Sequence, residues 1–179
     1  MTLTVAMIHD TSDDEALLAL LSAELNQFLP KDVLRDPETY KRTLETLPIG
    51  LRAMAGMHFF DVSMAIDDLA WHFGNQYDEG ALKETFNGLN ELELYEVAEI
   101  FDDARKLMIP YIEAKQKNEP LEMDPTEWSE HHGKAEQIWE MDARIRKISK
   151  DLGRSGLMAQ WLIYARKHPD RCIAMNRPV

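Results

Sequence analysis

Apolar residues recur at three- and four-residue spacing along most of this chain, a period that predicts helices rather than strands. Leu17, Leu18, Leu20, Leu21 and Leu25 form the first stripe. Thr11, Ser12 and Asp13 offer small polar caps, and Asp13, Asp14 and Glu15 suit the positive end of a helix dipole. The stripe runs to Phe28, and Pro30 ends it. Asp36-Pro37 opens a second helix, because Asp caps well and Pro is tolerated at the first helical position. Leu47-Pro48 closes it and opens the next.

Residues 48–73 form the longest apolar region, from Leu51 and Met54 through Phe59 and Phe60 to Phe73. Read as one helix, it is apolar around most of its circumference, which predicts a central element with neighbours on several sides. Gly50 and Gly56 mark close approaches or a break, and Gly74-Asn75 is a stop signal. Asp78 to Leu89 reads as a short helix. Residues 91–114 form another, with Pro110 expected to kink it. Residues 116–125 read as a loop, 125–149 as a helix capped by Asp124-Pro125, and Gly153 to Gly156 as a hinge-like break. Leu157, Met158, Trp161, Leu162 and Ala165 line a final amphipathic helix. The expected fold is therefore all-α: a multi-helix bundle with one central, nearly all-apolar helix and a C-terminal amphipathic helix. Residues 1–152 make the body, and 153–179 a C-terminal helix and tail expected to pack on the same domain.

Charge divides the chain along the same boundary. Residues 1–149 carry 14 Lys and Arg against 30 Asp and Glu, a balance of −16, whereas residues 150–179 carry six against two. An acidic body repels nucleic acid, so direct nucleic-acid binding is not expected, and it steers cationic proteins toward itself. The basic residues Arg154, Arg166, Lys167, His168, Arg171 and Arg177 are expected to fold back on that body, with a homodimer contact as the other use open to them. The single Cys172 fits a reducing compartment. With no basic start followed by an apolar run, and no apolar stretch of about 18 residues, the expectation is a cytoplasmic protein with no membrane association.

Two constellations stand out. On a single helix His58, Asp61, Asp68 and His72 fall within about an 80° arc at 100° per residue. Such spacing could ligate a metal and support a metal-dependent enzyme, or each Asp could simply hydrogen-bond a neighbouring His. His131 and His132 diverge around a helix and read as a surface pair. No phosphate loop, nucleophile elbow or zinc-protease motif is present, so no cofactor is expected and the balance falls toward binding rather than catalysis. The second constellation is acidic: Glu96, Glu99 and Asp103 share one helix face. Asp102 has Lys106 four residues on, whereas Glu96 and Glu99 have no cation ahead of them. Glu140–Arg144 and Asp142–Arg146 have the spacing of ion pairs.

Three stretches resemble the acidic DNA-mimic proteins of bacteria, a helical family long described as a domain of unknown function. Leu47-Pro48 with Leu51-Arg52 resembles the opening of that family's core helix. Asp61 through Asn75 resembles its next segment, with Asp61, Phe73 and Asn75 in matching places, and residues 91–108 resemble the helix that follows. Where that family carries Asn-Gly-Gly, this chain has Ile66-Asp67-Asp68. The resemblance spans about residues 45–112. It implies a non-enzymatic protein that occupies the DNA-binding face of a basic partner, such as a transcription factor, by placing carboxylates where phosphates would lie. A nuclease toxin neutralised by an immunity protein is the close variant, which neighbouring genes would separate. By spacing, Glu96, Glu99 and Asp103 are the candidate partner-binding residues, and Asp67 and Asp68 are named with them.

Overall fold

The computed structural model describes residues 3–31, 33 and 36–173. Among them there is no strand, and the chain forms an all-α bundle. A short α1 (Val5–Asp10), capped by the Thr4 hydroxyl, precedes the expected first helix. Six residues are too few to show a period, so the sequence pattern does not reveal it. Its approach is fixed by Glu24, a buried carboxylate that accepts the Leu3 N–H at 3.1 Å. Helix α2 (Asp14–Phe28) starts where the pattern placed it, with the Asp13 side chain accepting the Ala16 N–H. Helix α3 (Pro37–Thr46) begins on the Asp36 cap.

The long apolar region is not one helix. It divides into α4 (Ile49–Ile66) and α5 (Leu69–Asn75). Asp67 leaves the helical conformation, Asp68 is extended, and the Asp68 carboxylate caps α5 by accepting the Trp71 N–H at 2.8 Å. The break is held from outside. Arg146 donates to the Met64 carbonyl at 2.8 Å and to the Asp67 carbonyl, which closes the C-terminal end of α4. Asp142 accepts the Leu69 N–H at 3.0 Å, which serves the N-terminal end of α5. These groups would otherwise be orphaned at two helix ends. The Asp142–Arg146 pair that the spacing predicts is thus a double clasp across a helix junction.

Helix α4 is central, as its apolar circumference predicts. It packs against α2, α3, α5 and the elements named next. Its tightest partner is α6 (Glu79–Glu91), which is capped by Asp78. The two run antiparallel, with position 53 facing 88 and position 56 facing 84 and 85. A Cβ at Gly56 would lie 2.5 Å from the Glu84 carbonyl oxygen, and one at Gly88 would lie 2.6 Å from that of Ala53. Only glycine lets the backbones come so close. Thr85 then donates to the Gly56 carbonyl at 2.9 Å, and Arg52 grips Glu84 through two hydrogen bonds of 2.8 and 2.6 Å.

Helix α7 (Tyr95–Gln116) continues through Pro110, which sits at an exposed position. The segment expected as one helix over 125–149 is two, α8 (Pro125–His131) and α9 (Ala135–Asp151). Gly133 takes a φ of +65° between them, a left-handed turn that terminates α8. A 3₁₀ turn (Gly156–Met158) leads into α10 (Ala159–Lys167), and a last 3₁₀ turn spans Pro169–Cys172. Trp161, Tyr164, Ala165 and Cys172 of this C-terminal stretch are buried in the same core as Phe60, Phe73 and Phe101. Among the described residues no helix is long and apolar enough to cross a membrane.

Candidate functional site

The His/Asp line does not assemble. The break at Asp67-Asp68 resets the helical phase, so the arc that a single helix would give is lost. His58 stands at the surface, its ring 6.1 Å from that of Trp161. Asp61, one turn further along α4, is half-buried and accepts the Leu157 N–H, and burial lifts its carboxyl to about 6. Asp68 is spent on its cap and on the Thr126 hydroxyl at 3.3 Å. His72 lies wholly inside, edge-on to Phe60 and Phe101, and burial pushes its imidazole down to about 3, so it is neutral. Its Nδ1 pairs with the Ser63 hydroxyl at 3.0 Å rather than with an Asp. Among the described residues no three His, Cys, Asp or Glu side chains group so as to hold a metal ion. The residues chosen for a metal-dependent enzyme are therefore dispersed into a surface ring, a half-buried acid, a cap and a core histidine. His131 and His132 are exposed, and the His132 ring stacks on Trp128 at 4.2 Å.

The acidic residues come together differently. Helices α7 and α9 lie against each other. Glu96 at the start of α7 meets Arg144 in the second half of α9 at 3.1 Å. Near the other end of α7, Tyr111 packs its ring on Trp128 of α8, from which the chain turns directly into α9. Glu96, Glu99 and Asp103 occupy one flank of α7, and all three are exposed. On α9, Glu136, Glu140 and Arg144 follow at four-residue spacing and are also exposed. The reach of Arg144 to Glu96 turns that flank toward α7. Each helix of the pair therefore carries a row of exposed carboxylates, and the Glu96–Arg144 contact joins the two at the α7–α9 seam.

Pairing within the rows is uneven. Lys106 holds Asp102 and Asp103, each at 2.9 Å, and these two carboxylates keep its ammonium above the usual lysine range. Glu99, Glu136 and Glu140 form no ion pair among the described residues. Glu140 lacks the expected Arg144 partner because that guanidinium crosses to Glu96. The pattern along the chain shows the four-residue spacing of Glu136 and Glu140 but not that α9 lies against α7. Asp67 stands exposed at the α4–α5 junction, whereas Asp68 is occupied as described.

The basic C-terminal stretch folds back on the body as its charge suggests. Arg154 reaches Glu15 at 3.4 Å, and Arg166 reaches Asp14 at 2.7 Å. Lys167 and His168 bind Glu93, holding that carboxyl below its ordinary range through these hydrogen bonds. Arg171 meets Glu91 at 2.8 Å, and the Tyr164 hydroxyl donates to the same carboxylate. Arg177 lies outside the described residues. These contacts neutralise the start of α2 and the α6–α7 turn, and none of them reaches the α7–α9 seam. No family model, curated protein or solved structure matches this chain.

Proposed function

We propose that this protein is a non-enzymatic binding module. In this reading, the α7–α9 seam offers its carboxylates to the DNA-contacting surface of a basic partner, a DNA-binding protein or a nuclease. The observation that carries this reading is the exposure of Glu96, Glu99 and Asp103 on α7 and of Glu136 and Glu140 on the contacting α9, joined where Arg144 reaches Glu96. Carboxylates satisfy arginine and lysine much as phosphates do, including two-pronged pairing with arginine. Two rows on rigid helices hold their spacing, which a single flexible acidic tail does not. The pairs already present do not block such a partner. Glu96 and Arg144 are about 60% exposed, and a pair that exposed contributes little and is readily exchanged. Trp139, half-exposed on α9 one turn beyond Glu136, adds an apolar anchor of the type that concentrates binding energy in interfaces.

The test is capture from a native lysate on the immobilised protein at low salt. A basic protein is expected on the resin, released as ionic strength rises. Glu96→Gln, Glu99→Gln and Asp103→Asn together should lower capture by about tenfold, as should Glu136→Gln with Glu140→Gln. Capture undiminished in both sets of variants would remove this face from consideration.

A further inference from the structure

A cleft between α4, the C-terminal end of α9 and the turn that follows it holds a carboxylate and an ammonium that do not neutralise each other. Its volume is about 400 Å³. Asp61 stands on its α4 wall and Lys150 on its α9 wall. Neither forms an ion pair among the described residues. The other two cations of the wall are already engaged. Arg146 is held by Asp142 at 2.6 Å and by the carbonyls of Met64 and Asp67, and Arg154 reaches Glu15 at 3.4 Å.

Gly156 marks where polar atoms converge on this cleft. It takes a φ of +56°, and a Cβ built on it would lie 2.8 Å from the Ser149 hydroxyl oxygen and 3.9 Å from a carboxylate oxygen of Asp61. Outside its own turn, no other described residue comes within 4 Å of that point. The absent side chain therefore leaves a hollow bordered by two oxygens, and all three residues line the cleft. Among the described residues Ser149 has no hydrogen-bond partner for its hydroxyl, and Asp61 accepts the Leu157 N–H alone. Burial lifts the Asp61 carboxyl to about 6, against that one N–H, so at neutral pH it is an anion that no cation answers.

The chemistry of the wall selects the ligand. Two acceptor oxygens beside a hollow suit an N–H donor, and a charged donor makes the stronger bond. The three cations of the wall repel a molecule that is only positive, and Asp61 repels one that is only negative. A molecule with one charge of each sign answers both Asp61 and Lys150. A cavity of roughly 150 Å³ accepts a benzene ring, so this cleft has room for a short aliphatic chain charged at both ends.

We propose that this cleft binds a small zwitterion, a primary ammonium joined to a carboxylate by a short aliphatic chain, with the ammonium donating to Asp61 and the Ser149 hydroxyl and the carboxylate meeting Lys150. The site uses none of the acidic-face residues, so it stands if the partner-binding reading fails.

The probe is 5-aminopentanoate, compared with its single-charge halves, pentylamine and pentanoate. Each is titrated at constant ionic strength into the full chain labelled with ¹⁵N, and the backbone amides of Gly156 and Leu157 are followed. The zwitterion should move both signals saturably, and each half should bind about tenfold more weakly. Asp61→Asn keeps the shape of the side chain and should weaken zwitterion binding about tenfold. Lys150→Met, at an exposed position, should weaken it about threefold. Affinity should also fall as pH drops from 8 to 5, because Asp61 gains its proton. Arg146, Lys150 and Arg154, the charged groups that share the wall with it, keep their charge over that range, and the 3₁₀ turn Gly156–Met158 contributes none. Signals unmoved at a zwitterion concentration on the order of 100 mM overturn the proposal. So does either half binding as tightly as the zwitterion, or an affinity unchanged in either variant.

Discussion

Two helix pairs in this bundle are each bridged by one arginine and one glutamate, and the two bridges do different work. Between α4 and α6, Arg52 and Glu84 meet through two short hydrogen bonds, and Glu84 is largely covered. The backbones there approach through Gly56 and Gly88, so the ion pair closes over an interlocked seam. Between α7 and α9, Arg144 and Glu96 meet through one contact of 3.1 Å with both side chains open to solvent. The residue types are the same. Their burial and the backbone spacing beneath them decide whether the charges are committed to the fold or remain available.

The comparison can be broken most forcefully at the α4–α6 seam. Gly56→Val forces a side chain against the Glu84 carbonyl, and overpacking of this kind should cost about 3 kcal/mol in urea denaturation. A loss below about 1 kcal/mol would mean that the helices can separate cheaply. Glu84→Gln keeps the shape but removes the charge facing Arg52. A loss of about 1–2 kcal/mol is expected by the same measurement, reduced by the partial exposure of Arg52.

Asp61 lies between the two extremes, half-buried and with no ion pair among the described residues. Its folded carboxyl titrates near 6, above the ordinary 3.8, so the folded state holds the proton more tightly than the unfolded state does. The stability that this proton confers is complete below pH 3.8 and is lost as pH rises through 6. Asp61→Asn should therefore be more stable than the parent by about 1 kcal/mol at pH 8, allowing for solvent screening. The advantage should close by pH 4. Thermal melts at the two pH values check the sign.

The smallest effect belongs to the open seam. Glu96→Gln should change stability by less than about 0.5 kcal/mol, the ordinary worth of an exposed pair. A larger loss would make that bridge structural and weaken the contrast with Arg52–Glu84.

Much of the fold was legible. The caps at Asp13, Asp36, Asp78 and Asp124 lie where a short polar side chain precedes a periodic run, because capping is a local interaction. The central place of α4 follows from an apolar circumference that only neighbours on several sides can cover. The split at Asp67-Asp68 was not legible. Both flanks are apolar, and the groups that stabilise the break, Asp142 and Arg146, lie more than seventy residues away. The His/Asp line depended on that helix being continuous. Half of the acidic face was visible as the spacing on α7. The other half required knowing which flank of α9 lies alongside.

By itself the sequence determined the helical class, most helix starts, the apolar core set and the division between an acidic body and a basic end. Each rests on short-range chemistry: the 3.6-residue period, local caps and simple charge balance. Tertiary structure alone decided which charges meet. Arg144 passes over Glu140, four residues away, to reach Glu96, and Arg146 leaves its own helix to close another. A charged side chain is long enough to choose among partners, and packing sets which partners come within its reach.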